Sequence, residues 1–234
     1  MMRRQLVTAL LVTILLTIGL GVVYPVVIWG ISQVAFKSQA NGSLVHRNGK
    51  VVGSALIGQL FSDKDGNPLR QYFQPRPSAA GNGYDASNSS ASNLGPLSDK
   101  LLAPCLPVPA TDTAGNAVVD AKGNPVNQTN PDGSPVCNRN TVPQRAISYR
   151  QLNGLPDGAP VPVDAVTASG SGLDPDISVA NALDQAARVA GARNLPVSRC
   201  TALINAHIHG RPWGFLGENT VNVLDLNLAL DRSA

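Results

Sequence analysis

Ser169, Gly170, Ser171 and Gly172 form a Ser-Gly-Ser-Gly turn just ahead of a helix start at Ser178, a setting in which backbone N–H groups can receive an anion such as phosphate. No Gly-x-x-x-x-Gly-Lys-Ser/Thr pattern occurs in the chain, so a self-sufficient nucleotide site is not expected and a structural turn is the default. His207 and His209 with Cys200 lack a fourth ligand at matching spacing, so no metal centre is expected. Partner-facing histidines fit better. Asp63-Lys-Asp-Gly-Asn-Pro-Leu69 imitates a calcium loop, but its glycine comes two places too early. Cys105 and Cys137 bracket a turn-rich stretch; outside the cytoplasm, a disulfide between them would staple a loop with little core of its own. Cys200 is then left over, as a small buried apolar residue. No nucleophile stands beside a visible base, so no catalytic residue is expected.

The element that must position all of this is the N-terminus. Between Arg4 and Lys37 there are 32 residues without a charge. Leu6 to Ile28 alone would reach about 34 Å as a helix, enough to cross roughly 30 Å of hydrocarbon. A cleavable secretion signal, with Ser38-Gln39-Ala40 as its cleavage site, competes with this reading, but the apolar run is far longer than a signal core. A retained membrane-spanning helix within residues 1–37 is therefore expected. Arg3 and Arg4 abut the apolar segment, which favours a cytoplasmic N-terminus and a soluble part outside the cytoplasm. Ala9, Thr13, Thr17 and Gly21 recur every four residues and form a stripe of small side chains that lets a partner helix approach closely. Pro25 is expected to kink or end the helix, with Tyr24 and Trp29 as interfacial anchors.

The remaining stretch suffices for one domain with a core and an insertion. Gly 22 and Pro 18, against 14% charged and 4% aromatic residues, require a large share of turn and loop. Net charge is only +3 and no Lys/Arg cluster appears, which argues against nucleic acid as a partner. Residues 38–104 read as short strands and loops, the first part of an α/β (α+β) soluble domain. Residues 105–145 read as a turn-rich, mobile insertion that repeats Asp112-Thr-Ala-Gly-Asn-Ala-Val118, Asp120-Ala-Lys-Gly-Asn-Pro-Val126 and Asn130-Pro-Asp-Gly-Ser-Pro-Val136, as tight turns or small hairpins.

Residues 146–234 read as strand-helix-helix-strand. Val161 to Thr167 alternates as a strand. Ser178 caps a helix with Val179, Leu183, Ala187 and Ala190 on one face and an Asp184/Arg188 pair opposite, closed by Asn194. A second helix runs from Val197 to His207, before Gly210. Leu224, Leu226, Leu228 and Leu230 then alternate in what reads as a terminal strand.

Tyr24-Pro25, Gln39-Ala-Asn-Gly-Ser-Leu44, Gly53-Ser-Ala-Leu-Ile-Gly-Gln59, Tyr72-Phe73 with Arg76-Pro-Ser78, Ser92-Asn-Leu-Gly-Pro96, Val166-Thr-Ala-Ser-Gly-Ser-Gly-Leu-Asp-Pro175 and Asn222 to Asp231 come in one order along the chain. In these motifs the sequence resembles the KdpC family, the small subunit of the bacterial Kdp potassium-transporting P-type ATPase. Only Cys105 to about Arg145 departs from that pattern. The resemblance implies a non-catalytic, single-pass subunit of the bacterial cytoplasmic (inner) membrane. Its partners would be a channel-like potassium-selecting subunit and an ATP-hydrolysing subunit, and it would have no cofactor of its own. The family is described as a catalytic chaperone that raises its partner's ATP affinity, with Ser169 to Gly172 as the natural nucleotide-related segment. With the head across the membrane from cytoplasmic ATP, that effect would have to be remote coupling. The aspartyl-phosphate motif Asp-Lys-Thr-Gly of such pumps is absent, since Asp65 stands where Asp63-Lys64-Asp65-Gly66 would need threonine. The competing expectation is a free-standing, membrane-anchored envelope binding protein or enzyme.

Overall fold

The computed structural model describes residues 2–122 and 124–233. They divide into two compact units, one up to Leu56 and the other from Ile57 onward. The first is dominated by a continuous apolar helix, Met2–Ala35, long and apolar enough to cross a membrane and with none of its residues buried by the chain itself. It consists of α1 (Met2–Ile18), a π-helical turn (Gly19–Val23) and α2 (Tyr24–Ala35). Of the two outcomes expected at Pro25, a kink or an end, the end does not occur. A proline ring collides with the carbonyl four residues earlier, here that of Gly21. The wider π turn, in which the Tyr24 N–H reaches back to Gly19 O, absorbs the misfit and lets the helix continue. Phe36 breaks it, and a single helical turn, α3 (Lys37–Ala40), follows.

Strands β1 (Leu44–Arg47) and β2 (Lys50–Ser54) form an antiparallel hairpin. Its turn is Asn48-Gly49, both with positive φ, the combination that two-residue hairpin turns require. The Ser54 hydroxyl donates to Gly42 O and ties the hairpin to the turn after α3.

In the second unit, the one-turn helix α4 (Asp99–Leu102) precedes residues 105–137, where the repeats become three small hairpins. The carboxylate of Asp112 accepts from the N–H groups of Ala114 and Asn116, and that of Asp120 from those of Lys122 and Asn124. These bonds hold both carboxyls below their ordinary pKa. The hairpins are laced into closed rings of backbone bonds. Val108 N–H donates to Val136 O, Val136 N–H to Gln128 O, and Gln128 N–H to Val108 O; Ala110, Val126 and Val118 repeat the pattern. Cys105 and Cys137 are joined by a disulfide across the base. With a sequence separation of 32, loop-closure entropy gives the crosslink roughly 3–4 kcal/mol over the open chain. Cys105→Ser with Cys137→Ser should therefore speed proteolytic cutting within 107–136 at least tenfold, while the Cys200 core keeps its melting temperature. Equal cutting rates would show that the hairpin rings hold without the bridge.

The core lies beyond the insertion. Helix α5 (Val142–Asn153), capped by Thr141 and ended by a left-handed Gly154, leads to the one-turn α6 (Val163–Val166). Strand β3 (Asp176–Ser178) precedes α7 (Val179–Arg193) and α8 (Val197–Ala206). Then come β4 (Ile208–His209), a 3-10 turn (Pro212–Gly214), β5 (Thr220–Asn222) and α9 (Val223–Arg232). The sheet order is β3-β5-β4, antiparallel throughout. Phe73, Ile177, Val189, Cys200, Ile204, Val221, Leu226 and Leu230 meet in one apolar cluster. One N-terminal membrane-length helix plus an α+β head is thus the architecture.

Three local expectations are corrected. Val161 to Thr167 is not a strand: Pro162 leads into α6, whose Asp164 accepts from Ser178 N, Ser178 Oγ and Asn181 Nδ2 at the start of α7. The terminal leucines are helical. Asn222 caps α9 by accepting from Asp225 N, and unbranched Leu and Ala favour a helix once capped. The alternation misleads because α9 is buried nearly all round, Asn227 included. In α7, Leu183 and Ala187 are exposed, and the inward face carries Ala182, Gln185, Ala186, Arg188 and Val189. Arg188 is therefore turned into the protein rather than paired with Asp184 on the surface.

Candidate functional site

After a turn at 69–72, residues 73–78 pass through the head without belonging to a helix or strand, and Pro75 and Pro77 have no N–H to give to one. Side chains from the helices take the place of a neighbouring strand. Phe73 N–H donates to Asn227 Oδ1 and Phe73 O accepts from Asn227 Nδ2, each at 2.9 Å. Gln185 does the same for Gln74, at 2.7 and 3.1 Å. Arg188 donates to Arg70 O, Tyr72 O, Asn153 Oδ1 and Gln185 Oε1. Its acceptors are all neutral; burial, with the Arg70 guanidinium nearby, lowers it to about 10. Arg193 holds Gln71 O, pairs with Asp231 at 2.6 Å and lies over the Tyr72 ring.

The Ser169 to Gly172 turn is bound to the far end of this strap. Ser169 N–H donates to Pro77 O, and Ser78 Oγ donates to Gly172 O. The Ser169 hydroxyl, itself buried, accepts from Gly172 N and Asp174 N, and Ser171 Oγ accepts from Leu173 N. Ser171 O receives Ser90 N and Ser89 Oγ. The N–H groups of Ser169, Gly172, Leu173 and Asp174 are thus engaged within the protein, and the turn clamps three segments together.

Arg76 pairs with Asp174 at 2.8 Å beside this clamp. A cavity of about 230 Å³ there includes Asp164, Asp174, Asp176 and Glu218. Three of these carboxylates already serve the fold: Asp164 holds the start of α7, Asp174 takes Arg76 and Asp176 N, and Asp176 accepts from Thr220 Oγ1. Among the described residues no group of His, Cys, Asp or Glu is placed to hold a metal ion. His207 Nδ1 lies 2.8 Å from Leu203 O at the end of α8, and Cys200 is buried in the core, where desolvation raises its thiol.

Ala9, Thr13, Thr17 and Gly21 sit on the membrane-length helix, facing nothing of the chain's own. A Cβ at Gly21 would meet no atom within 4 Å. Gly21 lies inside the π turn, so the last step of the stripe departs from regular α-helical spacing. What sequence reasoning passed over is the set Gln185, Arg188, Arg193 and Asn227. Polar residues at apolar-face positions of two otherwise amphipathic helices were the signal available.

One apolar helix of membrane-spanning length and a second unit held together around a polar strap define an α+β protein compatible with a single-pass membrane anchor. The family profile KdpC, described as K+-transporting ATPase, c chain, matches residues 6–106 and 114–232. The chain belongs to the KdpC family. It is similar to the protein named "Potassium-transporting ATPase KdpC subunit" of Mycobacterium tuberculosis (strain ATCC 25618 / H37Rv), 46% identical over 99% of this chain and 100% of that one. Proteins of the same name from Koribacter versatilis (40% identical, 98% and 95% covered) and Caulobacter vibrioides (45%, 93% and 87%) are also similar. The profile is interrupted only between 106 and 114, so the departure is narrower than the 105–145 stretch expected to stand apart.

Proposed function

We propose that this chain is the accessory, non-catalytic subunit of an ATP-driven potassium uptake complex in the bacterial cytoplasmic membrane. It would hold a channel-like potassium-selecting subunit together with an ATP-hydrolysing one. The observation that carries the reading is family membership across nearly the whole chain, joined to a single membrane-length helix. In this reading the N-terminus is cytoplasmic and the head lies outside. Its chaperone-like effect on the partner's ATP affinity then passes through subunit contacts rather than through nucleotide held at Ser169, Gly170, Ser171 and Gly172. The internal bonds of Ser169 N–H and Gly172 N–H, which leave fewer donors for an anion, support this. Copurification of the tagged chain with two larger membrane proteins in fixed ratio is the test, and recovery of a lone monomer would overturn the reading.

The helix stripe gives a sharper expectation. Since Gly21 is open on its own chain, Thr17→Leu with Gly21→Leu should leave the head's melting unchanged yet reduce complex recovered in mild detergent severalfold, by blocking close helix approach. Unchanged recovery would exclude Ala9, Thr13, Thr17 and Gly21 as the interface.

A further inference from the structure

Along α5 runs a second, larger groove of about 890 Å³, within the size range of small-ligand sites. Four of its lining residues are arginines, Arg70, Arg76, Arg139 and Arg145, and among the described residues no carboxylate lines it. Such a concentration is unusual in a chain whose net charge is only +3. Arg70, Arg139 and Arg145 have no ion-pair partner among the described residues. Arg145 donates to Val166 O, and Arg76, though paired with Asp174, keeps a buried Nε without an acceptor. Arg188, buried with only neutral acceptors and close enough to Arg70 to feel its charge, adds a fifth positive charge to the region. Asp164 and Asp184 act electrostatically on Tyr149, which lines the groove, but neither is a lining residue itself. Burial holds the Arg145 guanidinium below its usual range, a penalty that a bound anion would relieve.

We propose that this groove is an anion site for phosphate-bearing groups, taken either from the headgroup of an anionic phospholipid or from a soluble phosphate ester. Guanidinium forks match phosphate oxygens in pairs, and several arginines lining one groove, three of them without an ion-pair partner among the described residues, favour a multivalent anion. The groove is separate from the Ser169 to Gly172 turn and independent of any effect on ATP. Because the chain carries its own bilayer anchor, the head is confined near a lipid surface, which makes lipid the source present at highest effective concentration.

Arg70 and Arg139 are exposed and make no described hydrogen bond through their side chains, so Arg70→Gln with Arg139→Gln preserves the fold. The full-length chain in mild detergent would be titrated with phosphatidylglycerol, followed by native mass spectrometry, and with inorganic pyrophosphate, followed by equilibrium dialysis. The wild type should retain at least one probe, and the double variant should bind it at least tenfold more weakly at unchanged melting temperature. Retention of phosphatidylglycerol with no pyrophosphate binding assigns the headgroup; pyrophosphate that displaces the lipid assigns the shared phosphate chemistry. Equal binding by wild type and variant, or binding of neither probe, overturns the site.

Discussion

Asn227→Leu is expected to remove about 2–6 kcal/mol of stability from the head, because it leaves two buried backbone groups without partners at about 1–3 kcal/mol each. Asn227 is 1% exposed, and its amide is the hydrogen-bonding match for both the N–H and the C=O of Phe73. Leucine has the same number of side-chain heavy atoms but is bulkier, so overpacking adds to the loss from the hydrogen bonds. Against a typical total of about 5–15 kcal/mol, that is a large share of the head's stability. Asn227→Asp keeps an acceptor for Phe73 N–H but loses the donor to Phe73 O and buries an unpaired charge, so it should be at least as destabilising at neutral pH and recover stability as the pH falls and the carboxyl takes up a proton. Chemical denaturation of the full-length chain in detergent, followed by Trp213 fluorescence or circular dichroism, measures this. A loss below about 0.5 kcal/mol for Asn227→Leu would mean that the strap is held by its other clamps alone.

That dependence on polar clamps explains what the sequence conveyed and what it withheld. The membrane-length helix was legible because 32 uncharged residues admit few other readings, and α7 because Ser178 and Asn194 punctuate it at both ends. The continuation of the helix past Pro25 was not, because a π turn leaves no composition signal. At the C-terminus, Leu224, Leu226, Leu228 and Leu230 have the period of a strand, and only the capping pair Asn222 and Asp225 favours a helix. The Asn48-Gly49 pair was the available sign of the β1/β2 hairpin.

The strap was the hardest part to read. An irregular segment containing two prolines gives neither alternation nor helical period. Its partners Gln185, Arg188 and Asn227 lie more than 110 positions away in sequence from the backbone groups they satisfy. Arg188 shows how local rules mislead. Four residues after Asp184 it fits the spacing of a surface ion pair, yet it is buried, because two carbonyls of the strap, an asparagine and a glutamine together outweigh one half-buried carboxylate. Motif order along the chain, more than any single constellation, carried the family.

The two glycines of the Ser169 to Gly172 turn provide a second large effect with an internal control. Gly172 has φ +71°, and a Cβ there would lie 2.5 Å from Ser90 O, 2.6 Å from Ala80 Cβ and 3.0 Å from Ala80 N. Two of these are backbone atoms, which cannot rotate away as a flexible side chain can. The left-handed conformation alone costs an L-residue roughly 1–2 kcal/mol, and displacing Ala80 or Ser90 would also loosen the bonds from Ser78 and from Ser89. Gly172→Ala should therefore cost about 3 kcal/mol or more, as an overpacked and strained site does. Gly170 has no atom within 4 Å of its would-be Cβ, and Gly170→Ala should change stability by less than about 0.5 kcal/mol. Melting of both variants in the full-length chain distinguishes a clamp from a ligand loop. A clamp is sensitive only at Gly172, and any loss of ATPase activity in a complex carrying Gly172→Ala should then follow the fraction of folded head and vanish on cooling. A tolerated Gly172→Ala, or a Gly170→Ala that lowers apparent ATP affinity without lowering the melting temperature, would return the turn to the role of a binding loop.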